Sequence, residues 1–176
     1  MKLPQRKNHR LKKYDYCHYG YYYVTICVHN RQNILCDIVG CDALVAPSKL
    51  GKKIISCCNN IALLNENVEL DKFVVMPNHI HGIIILKNTD ISCEKVKNFS
   101  FEIAERRGRR SLQGLVKDFK SVTTRYYKKL YGKDTSLWQI SFYDEVIKNQ
   151  EYYIKICNYI DTNPLKWQID ELYENP

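Results

Sequence analysis

Between Phe73 and Leu86 the chain reads FVVMPNHIHGIIIL, an apolar and β-branched run interrupted only by Pro77-Asn78 and by two histidines. A run of this composition is the middle of a sheet, as one or two consecutive strands. Pro77 cannot donate to a ladder, so the sequence around Pro77 and Asn78 is the expected interruption. Side chains of a strand alternate between faces with period two, which puts His79 and His81 on the same face, one pleat apart. Two imidazoles there have three ordinary explanations: core histidines satisfied by polar neighbours, a pH-responsive pair, or ligands of one cation. A shared cation satisfies both rings at once and then requires a third ligand from elsewhere in the chain.

The flanking pattern supplies the rest of a small fold. Gly20 to Asn30, GYYYVTICVHN, is rich in aromatic and β-branched residues and reads as a strand. Leu50, Ile54, Cys57 or Cys58, Ile61 and Leu64 recur at helical spacing behind Ser48, a candidate cap. A second amphipathic helix follows Ser111, with Leu112, Leu115, Phe119, Val122, Tyr126 and Leu130 on one face and Lys117, Lys120, Arg125, Lys128 and Lys129 on the other. Residues 137–147 read as strand or irregular, and Asn149 to Asn163 as a third helix that Pro164 ends. Strand, helix, strands, helix, strand, helix predicts an α+β fold, a central antiparallel sheet packed by helices. The chain of 176 residues is expected to form a single domain, 1–176, with a basic arm at 1–14 and an exposed connection at 88–110.

Charge narrows the partners. With 27 basic and 19 acidic residues the formal charge is +8, which favours a polyanion such as nucleic acid. Phosphate neutralisation is assigned to Arg6, Lys7, Arg10, Lys12 and Lys13 of the arm, to Arg109 and Arg110, and to Lys117, Lys120 and Arg125 of the second helix. The bland alternative for any one of them is a solvated charged face. Tyr14, Tyr16 and Trp138 beside these clusters are candidates for stacking unpaired bases. No signal-peptide stretch follows the arm, and no apolar run approaches the roughly 20 residues that cross a bilayer, so no membrane partner is expected. Eight cysteines without a CxxC pair lack the spacing of a zinc knuckle and read as free thiols of a reducing cytoplasm. No P-loop or dinucleotide fingerprint is present.

Taken together, DYCHYGYYYVTICVHNR, VVMPNHIHGIIIL, SLQGLVKDFKS, LWQISFYDEVI and YIDTNPLKW occur in an order that resembles the IS200-like tyrosine transposases, especially those associated with repetitive extragenic palindromes. The resemblance runs from about Asp15 to Trp167. It implies a ferredoxin-like or RNA-recognition-like sheet carrying a His-hydrophobic-His single-stranded DNA nuclease. By that likeness His79 and His81, with Ile80 between them, and Asn163 hold a divalent cation, Mg²⁺ or Mn²⁺, and Tyr159 is the nucleophile. Positions i and i+4 share a helix face, so Tyr159 and Asn163 are able to address one ion. Tyr143 is the second candidate nucleophile. Tyr152 and Tyr153 share the last helix but have Ile156 and Cys157, not an amide, four residues on.

The activity so implied is cleavage and rejoining of DNA at hairpin sites through a 5′-phosphotyrosine link, in the cytoplasm, by a monomer or a homodimer. The competing expectation is a catalytically silent DNA-hairpin binding protein derived from a transposase. A third is a metal-dependent phosphodiesterase that uses water and forms no covalent adduct.

Overall fold

The structure, a computed structural model, describes residues 19–40, 42–87 and 111–174. The arm 1–14, the connection 88–110, and with them Arg6, Lys7, Arg10, Lys12, Lys13, Tyr14, Tyr16, Arg109 and Arg110, lie outside the described residues. The elements run β1 (Gly20–Cys27), β2 (Cys36–Val39), β3 (Leu44–Pro47), α1 (Lys49–Leu63), β4 (Val68–Val75), β5 (His79–Leu86), α2 (Leu112–Tyr131), β6 (Tyr143–Ile147) and α3 (Gln150–Thr162). Four strands form an antiparallel sheet in the order β4-β5-β1-β6. β1-α1-β4 and β5-α2-β6 are thus interleaved split βαβ units, the ferredoxin-like arrangement. β2 and β3 pair as a separate two-stranded hairpin inserted before α1, which the sequence pattern does not announce.

Alternation along the strands sorts the layers. Tyr22, Val24 and Ile26 of β1 and Ile80, Ile84 and Leu86 of β5 face a core built with Leu50 and Ile54 of α1 and Leu115 and Phe119 of α2. The odd-numbered neighbours Tyr23 and Ile83, with Ile147 of β6, face the other way and pack on Ile156 and Ile160 of α3. Each such aliphatic side chain contributes about 2 kcal/mol when fully buried, and this pair is what seats α3 on the sheet. His79 and His81 have the parity of Ile83 and therefore lie on the α3 face.

Side-chain caps start the helices where the sequence places them. Ser48 Oγ accepts from Gly51 N at 3.0 Å, Ser111 Oγ from Gly114 N at 3.1 Å, and Asn149 Oδ1 from Tyr152 N at 2.8 Å. Pro164 does not displace its neighbour: Asn163 keeps helical dihedrals (φ −59, ψ −43) and passes the chain into a 3₁₀ turn at Pro164–Ile169. Gly51 lets α1 approach the Leu35 carbonyl so closely that a Cβ there would overlap it. Gly51→Ala is therefore expected to cost about 3 kcal/mol or more, read as a lowered urea midpoint, because the obstacle is backbone and cannot swing aside.

The stretch 137–147, expected as strand or irregular, is in part each, and the role expected of Trp138 changes. Only Tyr143–Ile147 of the strand-like stretch 137–147 is a strand; Leu137 and Trp138 are buried loop residues, with Trp138 bridging Val28. Trp138 is also not a base-stacking platform, because it is 2 % exposed and its Nε1 donates to Thr123 Oγ1 at 2.7 Å. Its indole serves the core under α2. Cys27, Cys36, Cys57, Cys58 and Cys157 are free thiols, and among the described residues no helix is long and apolar enough to cross a membrane.

Candidate active site

β5 carries the histidine pair into the interior of the α3 face. His79 and His81 are 0 % and 2 % exposed, with their Nε2 atoms 2.9 Å apart. The groups behind the rings decide where the protons sit. Asn78 Nδ2 donates to the carbonyls of Leu172 (2.8 Å) and Arg31 (3.3 Å), so its Oδ1 is the atom 2.8 Å from His79 Nδ1. An amide oxygen only accepts; His79 therefore holds its proton on Nδ1 and turns a lone pair outward at Nε2. His81 Nδ1 lies 2.7 Å from Tyr23 Oη and 2.9 Å from Thr25 Oγ1, two hydroxyls of β1 able either to donate to it or to accept from it. Because His79 presents a lone pair, the 2.9 Å contact is a hydrogen bond when the single proton of neutral His81 sits on Nε2, and Nδ1 then accepts from those hydroxyls.

Burial disfavours charge on both rings. It pushes His79 down to about 3, with the Arg31 guanidinium adding to the effect, and His81 well below its usual value, with His79 adding. Both are neutral near pH 7, the state that ligates metal. In the unfolded chain a histidine titrates near 6.5. Metal-free stability is thus complete above about pH 6.5 and is lost as the pH falls toward the folded values, since in that window only the unfolded chain takes up the protons. The expected observation is a melting temperature in EDTA that falls steadily between about pH 7 and about pH 4; a flat profile would contradict the burial.

α3 delivers the other groups. Ile156 and Ile160 point inward, and Tyr159 and Asn163 flank that stripe four residues apart. The half-exposed Tyr159 sets its ring edge-on to His81, centroids 5.1 Å apart, and its hydroxyl 3.4 Å from His81 Nε2. The same hydroxyl lies 3.3 Å from Asp170 Oδ2. Burial, and then the Asp170 charge, push the phenol up to about 12. Asn163 is 1 % exposed; its Nδ2 donates to Asp170 Oδ2 at 2.8 Å, and its Oδ1 is buried without a hydrogen-bond partner.

These residues fit a divalent cation. Octahedral ligands at about 2.1 Å and at right angles are roughly 3.0 Å apart, which the Nε2 spacing matches. A buried carbonyl oxygen with no donor costs about 1–3 kcal/mol, and a cation is one partner that would satisfy it. Asp170 joins the group from beyond α3: one ligand atom each of His79, His81 and Asp170 lie within 4.8 Å of one another. Sequence reasoning missed Asp170 because WQIDELYEN is an ordinary polar tail in which Asp170, Glu171 and Glu174 look alike.

The site opens on a cleft of about 1230 Å³ whose walls include Tyr23, His81, Tyr159, Asp170, Lys117 and Lys120. Lys117 is exposed there. Lys120 is held differently: Nζ donates to the carbonyls of Gln139 (2.9 Å) and Ser141 (3.0 Å), pinning the loop of the cleft wall. Arg125 is exposed two turns further along α2 and does not line the cleft. Tyr143 also lines it, but its hydroxyl donates to Glu145 at 2.7 Å.

No protein-family model matches the chain. An uncharacterized protein of Haemophilus influenzae (strain ATCC 51907 / DSM 11121 / KW20 / Rd) is 30 % identical over 173 residues, 97 % of this chain and 94 % of that protein. A solved structure of a REP-associated tyrosine transposase bound to a REP hairpin superposes with a TM-score of 0.52 at 18 % identity, covering 93 % of this chain and 74 % of that one. At that identity the likeness is one of fold.

Proposed function

We propose that this chain, which belongs to one family with the Haemophilus influenzae protein and has an IS200-like tyrosine transposase fold, is a metal-dependent single-stranded DNA endonuclease and strand transferase acting at hairpin sites. The observation that carries the reading is a half-exposed phenol, Tyr159, standing 3.4 Å from a buried imidazole pair at the floor of an open cleft. His79, His81 and Asn163 would hold the cation, Mg²⁺ or Mn²⁺. When bound, that ion supplies Lewis acidity to the scissile phosphate.

The chain's own residues do the rest. Tyr159 Oη attacks phosphorus in line, forming the 5′-phosphotyrosine bond as the bond to the 3′ oxygen breaks; the phenolic proton passes to solvent in the cleft and the departing oxygen takes one up. The covalent link keeps the energy of the phosphodiester, so a 3′-hydroxyl is able to reverse the step without ATP. α3 packs on the sheet in a single chain, which supports one polypeptide supplying both the proposed nucleophile and the histidines. A monomer or homodimer of such units fits this reading.

The substrate lies along the basic surfaces: Lys117 in the cleft, Arg125 beyond it, and Arg6, Lys7, Arg10, Lys12, Lys13, Arg109 and Arg110 from the arm and the connection. A hairpin is proposed because the solved relative holds one. Lys117→Ala is expected to weaken single-strand binding severalfold at every sequence tested and to lower the salt slope of log K by about 0.7, measured by fluorescence anisotropy.

The test is direct. The protein is incubated with a labelled single-stranded hairpin and Mn²⁺, then denatured. A DNA adduct that survives denaturation supports the proposal. Binding without an adduct would instead leave a catalytically silent hairpin-binding protein, and cleavage without an adduct a hydrolase.

A further inference from the structure

We infer that Asp170 is itself a ligand of the cation, making the site two imidazoles, a carboxamide and a carboxylate; this rests on the metal-dependent reading above. Its carboxylate converges with both rings, the three ligand atoms lying within 4.8 Å of one another. Both of its oxygens are already oriented: Oδ1 accepts from Leu172 N at 2.7 Å and Oδ2 from Asn163 Nδ2 at 2.8 Å. Oδ1 retains a lone pair after its one bond, whereas Oδ2 also accepts the Tyr159 hydroxyl at 3.3 Å, so ligation through Oδ2 displaces only that long contact.

Charge argues the same way. Two imidazoles and a carboxamide are neutral, and they would leave a full double charge beside rings that are almost entirely out of water. One carboxylate halves it, and hard divalent cations select carboxylate oxygen ahead of carboxamide oxygen. With one phosphodiester charge added the centre becomes neutral overall.

The segment that presents Asp170 is built in. Leu172 O accepts from Asn78 Nδ2 at 2.8 Å, Glu174 O accepts from Asn33 Nδ2 at 3.0 Å, and Arg31 pairs with Glu174 at 3.5 Å. Asn78 is also the residue that fixes the His79 tautomer. One amide thus holds both the ring and the strand of chain that brings in the carboxylate.

The experiment uses the full-length protein, stripped with EDTA and without DNA, titrated with Mn²⁺ and followed by electron paramagnetic resonance. Asp170→Asn keeps the size of the side chain and an acceptor for Asn163. It is expected to bind Mn²⁺ about tenfold more weakly or worse. A second measurement needs no variant: wild-type protein carrying ¹³C-carboxylate aspartate should show hyperfine coupling from that carbon to bound Mn²⁺. Nitrogen coupling from imidazole without the carbon coupling, or an Asp170→Asn protein that binds within twofold of wild type, overturns the inference while leaving the function standing. Wild-type protein that takes up no Mn²⁺ sinks both.

Discussion

Tyr159→Phe is expected to remove the denaturation-resistant DNA adduct, by at least about 10³-fold, while leaving fold and DNA affinity close to wild type. The loss is large because, among the described residues, the other phenols near the histidines are engaged elsewhere: Tyr143 gives its hydroxyl to Glu145, and Tyr23 is buried against His81 Nδ1, on the side of the ring away from Nε2. The fold survives because the Tyr159 hydroxyl makes only long contacts, 3.3 Å and 3.4 Å, and the ring that packs edge-on against His81 is kept. Ionising an ordinary phenol at pH 7 costs about 4 kcal/mol, at 1.36 kcal/mol for each unit below a value near 10. Burial and Asp170 raise the cost here, so activity is expected to climb with pH across the neutral range. An adduct of wild-type yield in the Phe variant would remove Tyr159 from the chemistry.

The second large effect is on the metal. His81→Ala is expected to weaken Mn²⁺ binding by more than about 100-fold and to abolish adduct formation with it, since it deletes one of the two facing Nε2 atoms proposed to hold the ion. Calorimetric titration of the DNA-free protein reads the first loss and the hairpin assay the second. The variant also strips Tyr23 Oη and Thr25 Oγ1 of the ring nitrogen they share and opens space in the α3 layer. A drop of about 2 kcal/mol in metal-free stability should accompany it. Unchanged Mn²⁺ affinity would return the histidines to the role of satisfied core residues.

Much of this arrangement is written locally in the chain. The HIHGIII alternation states that His79, His81 and Ile83 share a face, and the structure places all three together on that of α3. Ser48, Ser111 and Asn149 are legible as helix starts because a cap is decided within four residues. What pattern could not give is whatever depends on tertiary approach. Trp138 looks like a surface aromatic beside charge, yet Thr123, fifteen residues earlier, draws its indole inward. β2 and β3 are only four residues each and carry too few positions to establish a period. Asp170 is indistinguishable from neighbouring acids until the 3₁₀ turn after Asn163 swings it back toward β5. Lys120 reads as one more phosphate ligand, although its ammonium is spent on loop carbonyls.

With α3 packed on the sheet through Ile156 and Ile160, a single chain brings together one tyrosine and one histidine pair, which on the proposed function is one complete nucleophile. On that function such a unit holds a single severed end at a time. Freeing a DNA segment takes two cuts, so on this plan excision must either recruit two copies, one per border, or release the first end before the second is caught. On the proposed function, the packing of one helix thus bears directly on how many copies of the chain a full reaction needs.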